Sequence, residues 1–228
     1  MVRKLFVYLL RRSGKSYDLD PAVPDGLLVG NLLSRLTMLL RGLAFLRKKV
    51  FLGAGVRVTN KRNFKFGHNV TIERFTRLDG YAAEKIALGN NCRIGAFSCL
   101  TCTSHLSKFG KGLVMGDNSA IGDYTHFGAA GGIRIGNDVI MGSYISFHSE
   151  NHNFADTTRL IREQGVSSKG IVLGNNIWVG AKVTFLDGCI VGNNCVVAAG
   201  AVVNGIFPDN CVIGGVPARI IKTIEPAT

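Results

Sequence analysis

The amino-acid sequence predicts an all-β fold in which short parallel strands wind into a solenoid, preceded by a helical N-terminal region. A six-residue pattern recurs along most of the 228 residues. Glycine is frequent, with 29 residues against 5 prolines, which indicates many tight corners without the triplet period of collagen. Hydrophobic residues make up 46% of the chain, which is enough for the core of one large domain.

Each repeat consists of a branched aliphatic residue, a small residue, two polar residues and then a small or β-branched residue. Neither a helix nor an amphipathic strand has a period of six, whereas a short strand followed by a tight corner does. Three units close one triangular coil, and stacked coils bury a continuous column of aliphatic side chains. We therefore predict a solenoid over residues 50–215. Copies begin at Leu88, Ile94, Met115, Ile121, Ile135, Met141, Phe147, Leu173, Val179, Val191 and Val197.

Residues 1–49 are basic and rich in leucine. They hold ten Lys and Arg residues against three Asp, and so supply +7 of the formal net charge of +12. Leucines at spacings of three and four within 27–46 predict a helix. Arg35 and Arg41 disfavour a membrane span, because each costs about 2.5–3.5 kcal/mol near a helix centre. We expect this helix to pack on the body of the protein, with peripheral contact to an anionic membrane as the open alternative.

The six cysteines predict a reducing compartment. Cys99 and Cys102 form a CxxC pair, but no second pair follows at the spacing of a zinc site. The apolar run of residues 5–10 is short, ends at two arginines and lacks the small residues of a signal-peptide cleavage site. We expect a cytoplasmic protein whose thiols serve as packing residues.

Four segments are similar to the hexapeptide-repeat acyltransferases, and more closely to their maltose, galactoside and xenobiotic O-acetyltransferase branch. They occur in the order and at the spacing of that branch. The resemblance implies a left-handed parallel β-helix over 50–215, a homotrimer, acetyl-CoA as co-substrate and no metal. It also implies a C-terminal segment, 216–228, that contributes to cofactor binding. The segments are Ile135–His152, Gly174–Gly180, Ala198–Val203 and Gly214–Lys222.

The family's catalytic histidine falls on His152. An acceptor hydroxyl is a poor nucleophile at neutral pH and needs a base with a pKa near 7 within hydrogen-bond reach. His152 stands immediately before a break in the repeat at 153–170, which predicts a protruding loop that walls the site of a neighbouring subunit. Glu150, Asp156 or Glu163 could orient the imidazole, and the sequence leaves the choice open.

Three other residues are candidates for contact with the acceptor. His148 is the rival of His152 as the base, and it stands at a repeat position that faces outward. His126 and Tyr124, in the preceding coil, are expected to line the acceptor pocket.

The register of the repeats stacks a column of small residues, which a long pantetheine arm could follow. The simpler explanation is that small residues fit tight corners. The resemblance places cofactor contacts on this column and near the C-terminus, although Asn204 and Gly205 stand where the family often has Thr-Lys. An N–H near Gly142 or Ser143 could hold the oxyanion. The expected cofactor residues are Gly142, Trp178, Ala181, Ala199, Asn204, Gly205, Arg219 and Lys222.

The basic N-terminal region differs from the short helices of the sugar-specific enzymes. It favours relatives that O-acetylate a surface polysaccharide or its lipid-linked or nucleotide-linked precursor. N-acetylation of a nucleotide amino-sugar would use the same groups. A γ-class carbonic anhydrase is disfavoured, because His148 and His152 are four residues apart and not five. A non-catalytic scaffold is disfavoured by the complete small-residue column, and no nucleic-acid partner is expected.

Overall fold

The computed structural model describes residues 2–12, 18–106 and 108–225. Parts of the predicted N-terminal (1–49) and C-terminal (216–228) regions, residues 1, 13–17 and 226–228, lie outside the described residues. The described chain folds into two N-terminal helices followed by a left-handed parallel β-helix, as the sequence predicts.

The helices are α1 (Val2–Arg12) and α2 (Asp25–Arg41), and a π-helical turn (Gly42–Leu46) extends α2. Helix α2 packs on α1 and on the first strand of the solenoid. Leu28, Met38 and Leu46 are buried in this contact. The helix therefore closes the first coil, as terminal elements of solenoids do.

Most strands are two or three residues long, the length that a six-residue repeat permits. The first twelve are β1 (Phe51–Leu52), β2 (Arg57–Val58), β3 (Phe64–Phe66), β4 (Thr71–Ile72), β5 (Arg77–Leu78), β6 (Ile86–Leu88), β7 (Arg93–Ile94), β8 (Cys99–Thr101), β9 (Leu113–Met115), β10 (Ala120–Ile121), β11 (His126–Gly128) and β12 (Ile133–Ile135). The others are β13 (Ile140–Met141), β14 (Ser146–His148), β15 (Asn151–His152), β16 (Val166–Ser167), β17 (Ile171–Leu173), β18 (Trp178–Val179), β19 (Thr184–Leu186), β20 (Ile190–Val191), β21 (Val196–Val197), β22 (Val202–Val203), β23 (Ile206–Phe207), β24 (Cys211–Gly215) and β25 (Ala218–Thr223).

The strands form three parallel sheets that are the faces of a triangular prism. Sheet A runs β1-β4-β7-β10-β13-β18-β21-β24, with β25 antiparallel at its end. Sheet B runs β2-β5-β8-β11-β14-β19-β22, and sheet C runs β3-β6-β9-β12-β17-β20-β23. The chain passes from A to B to C in each coil, so the prism has A–B, B–C and C–A corners.

Equivalent residues of successive coils stack inside the prism. Phe127, Phe147 and Phe185 are paired in register on sheet B, with ring centroids 5.2 and 4.9 Å apart, and all three are fully buried. Offset-stacked aromatic pairs at this distance stabilise a core beyond the area they bury. The core is one continuous cluster from Leu46 to Ala218.

The C–A corner carries a ladder of amide and carboxylate side chains. The side chain of Asn175 accepts the backbone N–H of Asn137, and that of Asn193 accepts the N–H of Asn175, each near 2.8 Å. Asp209 continues the ladder by accepting the N–H of Asn193. Each corner amide is therefore satisfied by a side chain of the next coil, which explains the asparagines of the repeat.

Two segments leave the coils. Strands β15 and β16 pair antiparallel and form the stem of the loop predicted at 153–170, which is exposed over most of its length. A second excursion, residues 103–111, connects sheets B and C between β8 and β9. The sequence interpretation missed it, although the repeat is interrupted between the copies that begin at Ile94 and Met115.

Helix α2 carries two apolar stripes and not the one that the leucine spacing indicated. Leu28 and Leu46 are buried as expected, but Leu36 and Leu43 are exposed by 52% and 43%. Packing on the body therefore accounts for only part of the apolar surface of the helix.

Glycines at the A–B corner test how closely the coils approach. A Cβ on Gly122 would lie 2.6 Å from the Ser143 nitrogen, whereas a Cβ on Gly30 in α2 would have no heavy atom within 4 Å. We expect Gly122→Ala to lower the free energy of unfolding by about 2 kcal/mol through overpacking. The matched change Gly30→Ala should raise it by about 0.5–1 kcal/mol. Thermal unfolding followed by circular dichroism checks both signs; equal midpoints would contradict close coil contact.

Candidate active site

His152 lies in the stem of the long loop, at the B–C corner. Its strand β15 pairs with β16, where His152 stands opposite Val166, and its side chain is exposed. The neighbouring Asn151 donates to the Asp187 carboxylate of the next coil at 3.3 Å, which ties the stem to the solenoid. His152 is therefore the start of the hairpin and not the last residue of a regular coil.

Glu150, the expected orienting partner, is engaged elsewhere. Its carboxylate accepts the Ser104 hydroxyl at 2.7 Å and lies 3.9 Å from the Lys108 ammonium group. It therefore fastens the 103–111 excursion to the B–C corner. Among the described residues Glu150 makes no hydrogen bond or ion pair with His152, and its role as orienting partner stays a prediction.

The other two predicted partners, Asp156 and Glu163, accept hydrogen bonds from residues of the loop itself. The Asp156 carboxylate accepts the N–H and hydroxyl of Thr158, and these hydrogen bonds lower the pKa of Asp156. The Glu163 carbonyl accepts from Arg159. In the described residues, none of the three candidate carboxylates makes a hydrogen bond or ion pair with His152.

His126 and His148 form a pair on the outer face of sheet B. Their rings are 5.9 Å apart and tilted by 38°. Partial burial lowers the pKa of His126, and the neighbouring charges of His148 and Arg77 lower it further. The folded state therefore favours a neutral imidazole at His126, which can accept or donate a hydrogen bond.

Tyr124 belongs to a ladder of aromatic rings at the A–B corner. The rings of Phe75, Phe97, Tyr124 and Tyr144 stack in sequence at 5.0–5.3 Å, and each of these residues has positive φ. Because each ring covers the face of the next, the ladder presents ring edges to solvent.

Within the described chain, the A–B corner carries no continuous ladder of amide and carboxylate acceptors, and the small-residue column lies along its upper coils. Among the described residues it has one side-chain acceptor, because the Asp123 carboxylate accepts the N–H of Ala96 at 2.9 Å, while the N–H groups of Ala54 and Arg74 in the lower coils have no acceptor. The residues that occupy the corresponding position above are Ser143, Ala181 and Ala199, and neither alanine offers a side-chain acceptor. Among the described residues, no acceptor is found for these three corner N–H groups.

The glycines of this column have a structural explanation. A Cβ on Gly142 would lie 2.7 Å from the Ala181 nitrogen, so glycine is required by coil contact. The Gly142 N–H donates to the Val179 carbonyl at 2.9 Å and is not free for an oxyanion. Of the two predicted oxyanion donors, Ser143 is the one that the coil ladder leaves available.

Trp178 and Lys222 lie on sheet A. Trp178 stands in register with Ile140 below and Val196 above, and its side chain is 58% exposed, so it is not a core residue. Lys222 pairs with Val212, the next position in the same column.

Asn204, Gly205 and Arg219 share an open cleft of about 390 Å³ at the C-terminal end of the prism. Ile206 and Phe207 supply its apolar wall. The Arg219 guanidinium is held by the Ala218 carbonyl at 2.8 Å. An arginine beside an apolar cleft suits a phosphorylated ligand with a hydrocarbon portion.

The structure thus divides the predicted site residues between different sides of one prism. Gly142, Ala181 and Ala199 stand at the A–B corner, and Trp178 stands on sheet A. His152 projects from the B–C corner, which is the edge opposite sheet A. A single chain does not bring the imidazole and the corner amides together.

The cysteines do not offer a nucleophile or a metal site. Burial raises the pKa of Cys92 to about 11 and the pKa of Cys102 and Cys189 to about 12, so these thiols stay protonated. All six are free, and none but Cys99 is more than slightly accessible. In the described ranges, no three His, Cys, Asp or Glu side chains are grouped to hold a metal.

Comparisons with known proteins agree with this architecture. The family described as "Bacterial transferase hexapeptide (six repeats)" matches residues 170–205. The Escherichia coli (strain K12) protein "Putative lipopolysaccharide biosynthesis O-acetyl transferase WbbJ" is 34% identical over 161 residues, which span 60% of this chain and 82% of WbbJ. The "Galactoside O-acetyltransferase" of the same organism is 31% identical over 105 residues, 46% of this chain and 47% of that relative.

Solved structures add the fold. AntD, an N-acyltransferase from Bacillus cereus solved in complex with dTDP and 3-hydroxybutyryl-CoA, gives a TM-score of 0.51 at 20% identity. The superposition covers 82% of this chain and 87% of AntD. At this identity the likeness concerns the solenoid alone.

The histidine pair gives a titration test. Replacing His148 with Asn removes a neighbouring positive charge, so the pKa of His126 should rise toward its ordinary value and remain below it, because burial persists. The matched change His68→Asn, outside this pair, should leave the pKa of His126 unchanged. Titration by NMR of the histidine ring protons measures this shift. A fall in the pKa of His126, or no change, would contradict the arrangement of the two rings.

Proposed function

The chain belongs to the hexapeptide-repeat acyltransferases, and from that premise we propose that it transfers the acetyl group of acetyl-CoA to a sugar hydroxyl, with His152 as general base. The acceptor is a surface polysaccharide or its lipid-linked or nucleotide-linked precursor. Because acetyl-CoA is a cytoplasmic metabolite, the reaction takes place in the cytoplasm.

The observation that carries the proposal is the run of unbonded amides at the A–B corner of the upper coils. The N–H groups of Ser143, Ala181 and Ala199 have no acceptor among the described residues and lie along a column of small side chains, where an extended chain with amide groups could pair with them. The pantetheine arm of CoA is such a chain. Coil contact explains the glycines, whereas the alanines at 181 and 199 leave the N–H groups below them without the acceptor that Asp123 gives Ala96.

Different residues are available to bind different parts of the cofactor. Arg219 and Lys222 offer cations for the phosphate groups, and Trp178 offers an exposed ring beside the pantetheine path. Asn204 and Gly205 line the same cleft as Arg219.

A second subunit completes the site. Because His152 and the corner amides lie on different sides of the prism, a seam between two subunits is needed to bring one chain's imidazole to the other chain's thioester. Repetition of that head-to-tail contact closes a ring when its rotation closes, and the resemblance to the trimeric hexapeptide-repeat enzymes makes that ring a homotrimer. The exposed loop at 153–170 would wall the seam.

The reaction follows from this arrangement. His152 accepts the proton of the acceptor hydroxyl while the oxygen attacks the thioester carbonyl, and the negative charge collects on the carbonyl oxygen. The Ser143 N–H is placed to donate to that oxyanion. Collapse of the intermediate breaks the carbon–sulfur bond, and the imidazolium returns the proton to the CoA thiolate. The product is an acetyl ester and free CoA.

An amine acceptor would use the same base and groove, so N-acetylation of a nucleotide amino-sugar is the second candidate. AntD, an N-acyltransferase solved in complex with dTDP and 3-hydroxybutyryl-CoA, shares the solenoid and supports this second candidate. The two products differ in stability, because mild alkali removes an O-acetyl group and leaves an N-acetyl group. Mass spectrometry of products before and after alkali treatment separates them.

Replacement of the base tests the mechanism. We expect His152→Ala to lower kcat about 10²–10⁴-fold and to leave acetyl-CoA binding by calorimetry nearly unchanged. His148→Ala examines the rival base, and His68→Ala is the matched surface control. Both should retain the turnover of the parent protein. Full activity of His152→Ala, or loss in His148→Ala alone, would reject the assignment.

The corner amides can be tested separately from the base. Ala181→Asp would place a carboxylate on the N–H of the coil below, as Asp123 does for Ala96. We expect acetyl-CoA to bind at least about tenfold more weakly, because that N–H would then be occupied by a charged acceptor. Ala181→Asn supplies a neutral acceptor and separates this effect from charge repulsion. Unchanged binding in both variants, with folding intact, would remove the amide column from the cofactor site.

A further inference from the structure

The outward surface of the two N-terminal helices is apolar. On α2 and the π-helical turn that extends it, five residues recur at spacings of four and three and are exposed by 39–58%, and two more on α1 are exposed. We call this surface the cap face, and its residues are Leu5, Leu9, Val29, Leu33, Leu36, Leu40 and Leu43.

The polarity of the cap face is the reverse of what a free solenoid end requires. Terminal elements of repeat proteins bury one side and present a polar side to water. Here α2 buries Leu28 and Met38 and presents a second apolar stripe to solvent. By length and composition alone, the helix of residues 25–46 could cross a membrane. Only 17% of its most apolar 18-residue segment is buried in the protein, so most of this segment is exposed. Exposed apolar residues aligned along one side of a helix indicate an interaction surface.

The arginines of α2 show how the helix lies. Arg35 donates to the Asn69 side chain at 2.8 Å, and its guanidinium group stacks over the Phe51 ring at 3.7 Å. Arg41 donates to the Leu52 carbonyl. A transmembrane orientation would break these contacts and carry both charges into hydrocarbon. The helix therefore stays on the solenoid, and its partner approaches the cap face from outside.

Four cations of the N-terminal region are unpaired within the described residues. The side chains of Lys4, Arg11, Arg47 and Lys49 are exposed, and in the described ranges none has a hydrogen bond or ion pair. Arg3, in contrast, is paired with Asp25 at 3.1 Å. The partner must therefore combine an apolar interior with a negatively charged surface.

An anionic bilayer meets both requirements better than a second copy of this chain. A symmetric contact between two cap faces would bring the unpaired cations of both copies to one interface, where like charges oppose association. Leucine-rich helices flanked by basic residues lie in the interface of anionic membranes, with the apolar side among the acyl chains and the cations at the headgroups.

We propose that the cap face docks on an anionic lipid bilayer, with α2 parallel to the membrane plane and the solenoid on the aqueous side. This docking is independent of the acetyl-transfer proposal. Membrane docking depends on the exposed leucines together with the four unpaired cations.

The test is sedimentation of the full-length protein with vesicles. One set contains phosphatidylcholine alone, and the other contains phosphatidylcholine mixed with phosphatidylglycerol. We expect the protein to sediment with the anionic vesicles, to bind the neutral ones more weakly and to dissociate in high salt. The double change Leu36→Asn and Leu40→Asn should abolish sedimentation. The matched change Leu106→Asn and Phe109→Asn, at exposed apolar residues of the 103–111 excursion, should not.

Charge is tested by Lys4→Gln together with Lys49→Gln. Each removed cation should cost about fivefold in affinity for anionic vesicles, so the pair should cost about 30-fold. Circular dichroism and the acetyl-CoA affinity of each variant report that the solenoid is intact.

Three results would overturn the proposal. The first is failure of the parent protein to sediment with anionic vesicles. The second is sedimentation that survives the Leu36 and Leu40 changes. The third is resistance to both high salt and alkaline carbonate, which would indicate a span. A fall in oligomeric mass by analytical ultracentrifugation on changing Leu36 and Leu40, without vesicle binding by the parent protein, would assign the cap face to a second copy of this chain.

Discussion

The spacing between stacked coils is the constraint on which the rest of this structure depends. Parallel strands at about 4.8 Å bring each residue directly over its counterpart in the next coil, so each column must satisfy one set of contacts along its whole length. Phe127, Phe147 and Phe185 fill the same position inside sheet B in three successive coils. At the A–B corner the same spacing leaves no room for a Cβ on Gly122 or Gly142. Core, corners and hydrogen bonds are thus consequences of one distance.

Under the same constraint, a position in a column without a side-chain acceptor leaves the N–H group of the coil below unpaired. The C–A corner uses Asn or Asp in coil after coil to accept the amide below, up to Asp209. The A–B corner does so once, at Asp123, and among the described residues the N–H groups of Ser143, Ala181 and Ala199 above it have no acceptor. Water can accept hydrogen bonds from amides at the surface, so the absence of a protein acceptor is compatible with folding. It also leaves a line of donors with a fixed spacing, which is what an extended ligand with regularly placed acceptors requires.

The period of the sequence was sufficient to predict the solenoid, the inward aliphatics, the register of the small residues and the position of the long loop. It was insufficient where contacts join distant segments. Glu150 is adjacent to the stem of His152 in sequence, but Ser104 and Lys108, more than forty residues earlier, hold its carboxylate. Leucine spacing on α2 indicated an apolar helix, but two stripes 100° or so apart give overlapping spacings of three and four. Only the structure separates the two stripes, because Leu28 and Met38 are buried in it and Leu36 is exposed.

A prism also fixes how far apart its functions lie. Sheet B contains seven strands, and β14, which leads into His152, is the fifth. Four strand spacings separate it from β2, so the base stands about 19 Å along the axis from the first coil. Helix α2 covers that first coil, and the cleft of Asn204 and Arg219 lies at the opposite end. If the cap face rests on a membrane, acetyl-CoA can enter from the aqueous end while the acceptor comes from the membrane side. A sugar directly attached to the headgroup would not reach His152, whereas a glycan several sugars long on a lipid carrier would. Membrane docking and acetyl transfer, proposed on separate observations, therefore together favour an extended lipid-linked glycan as the acceptor.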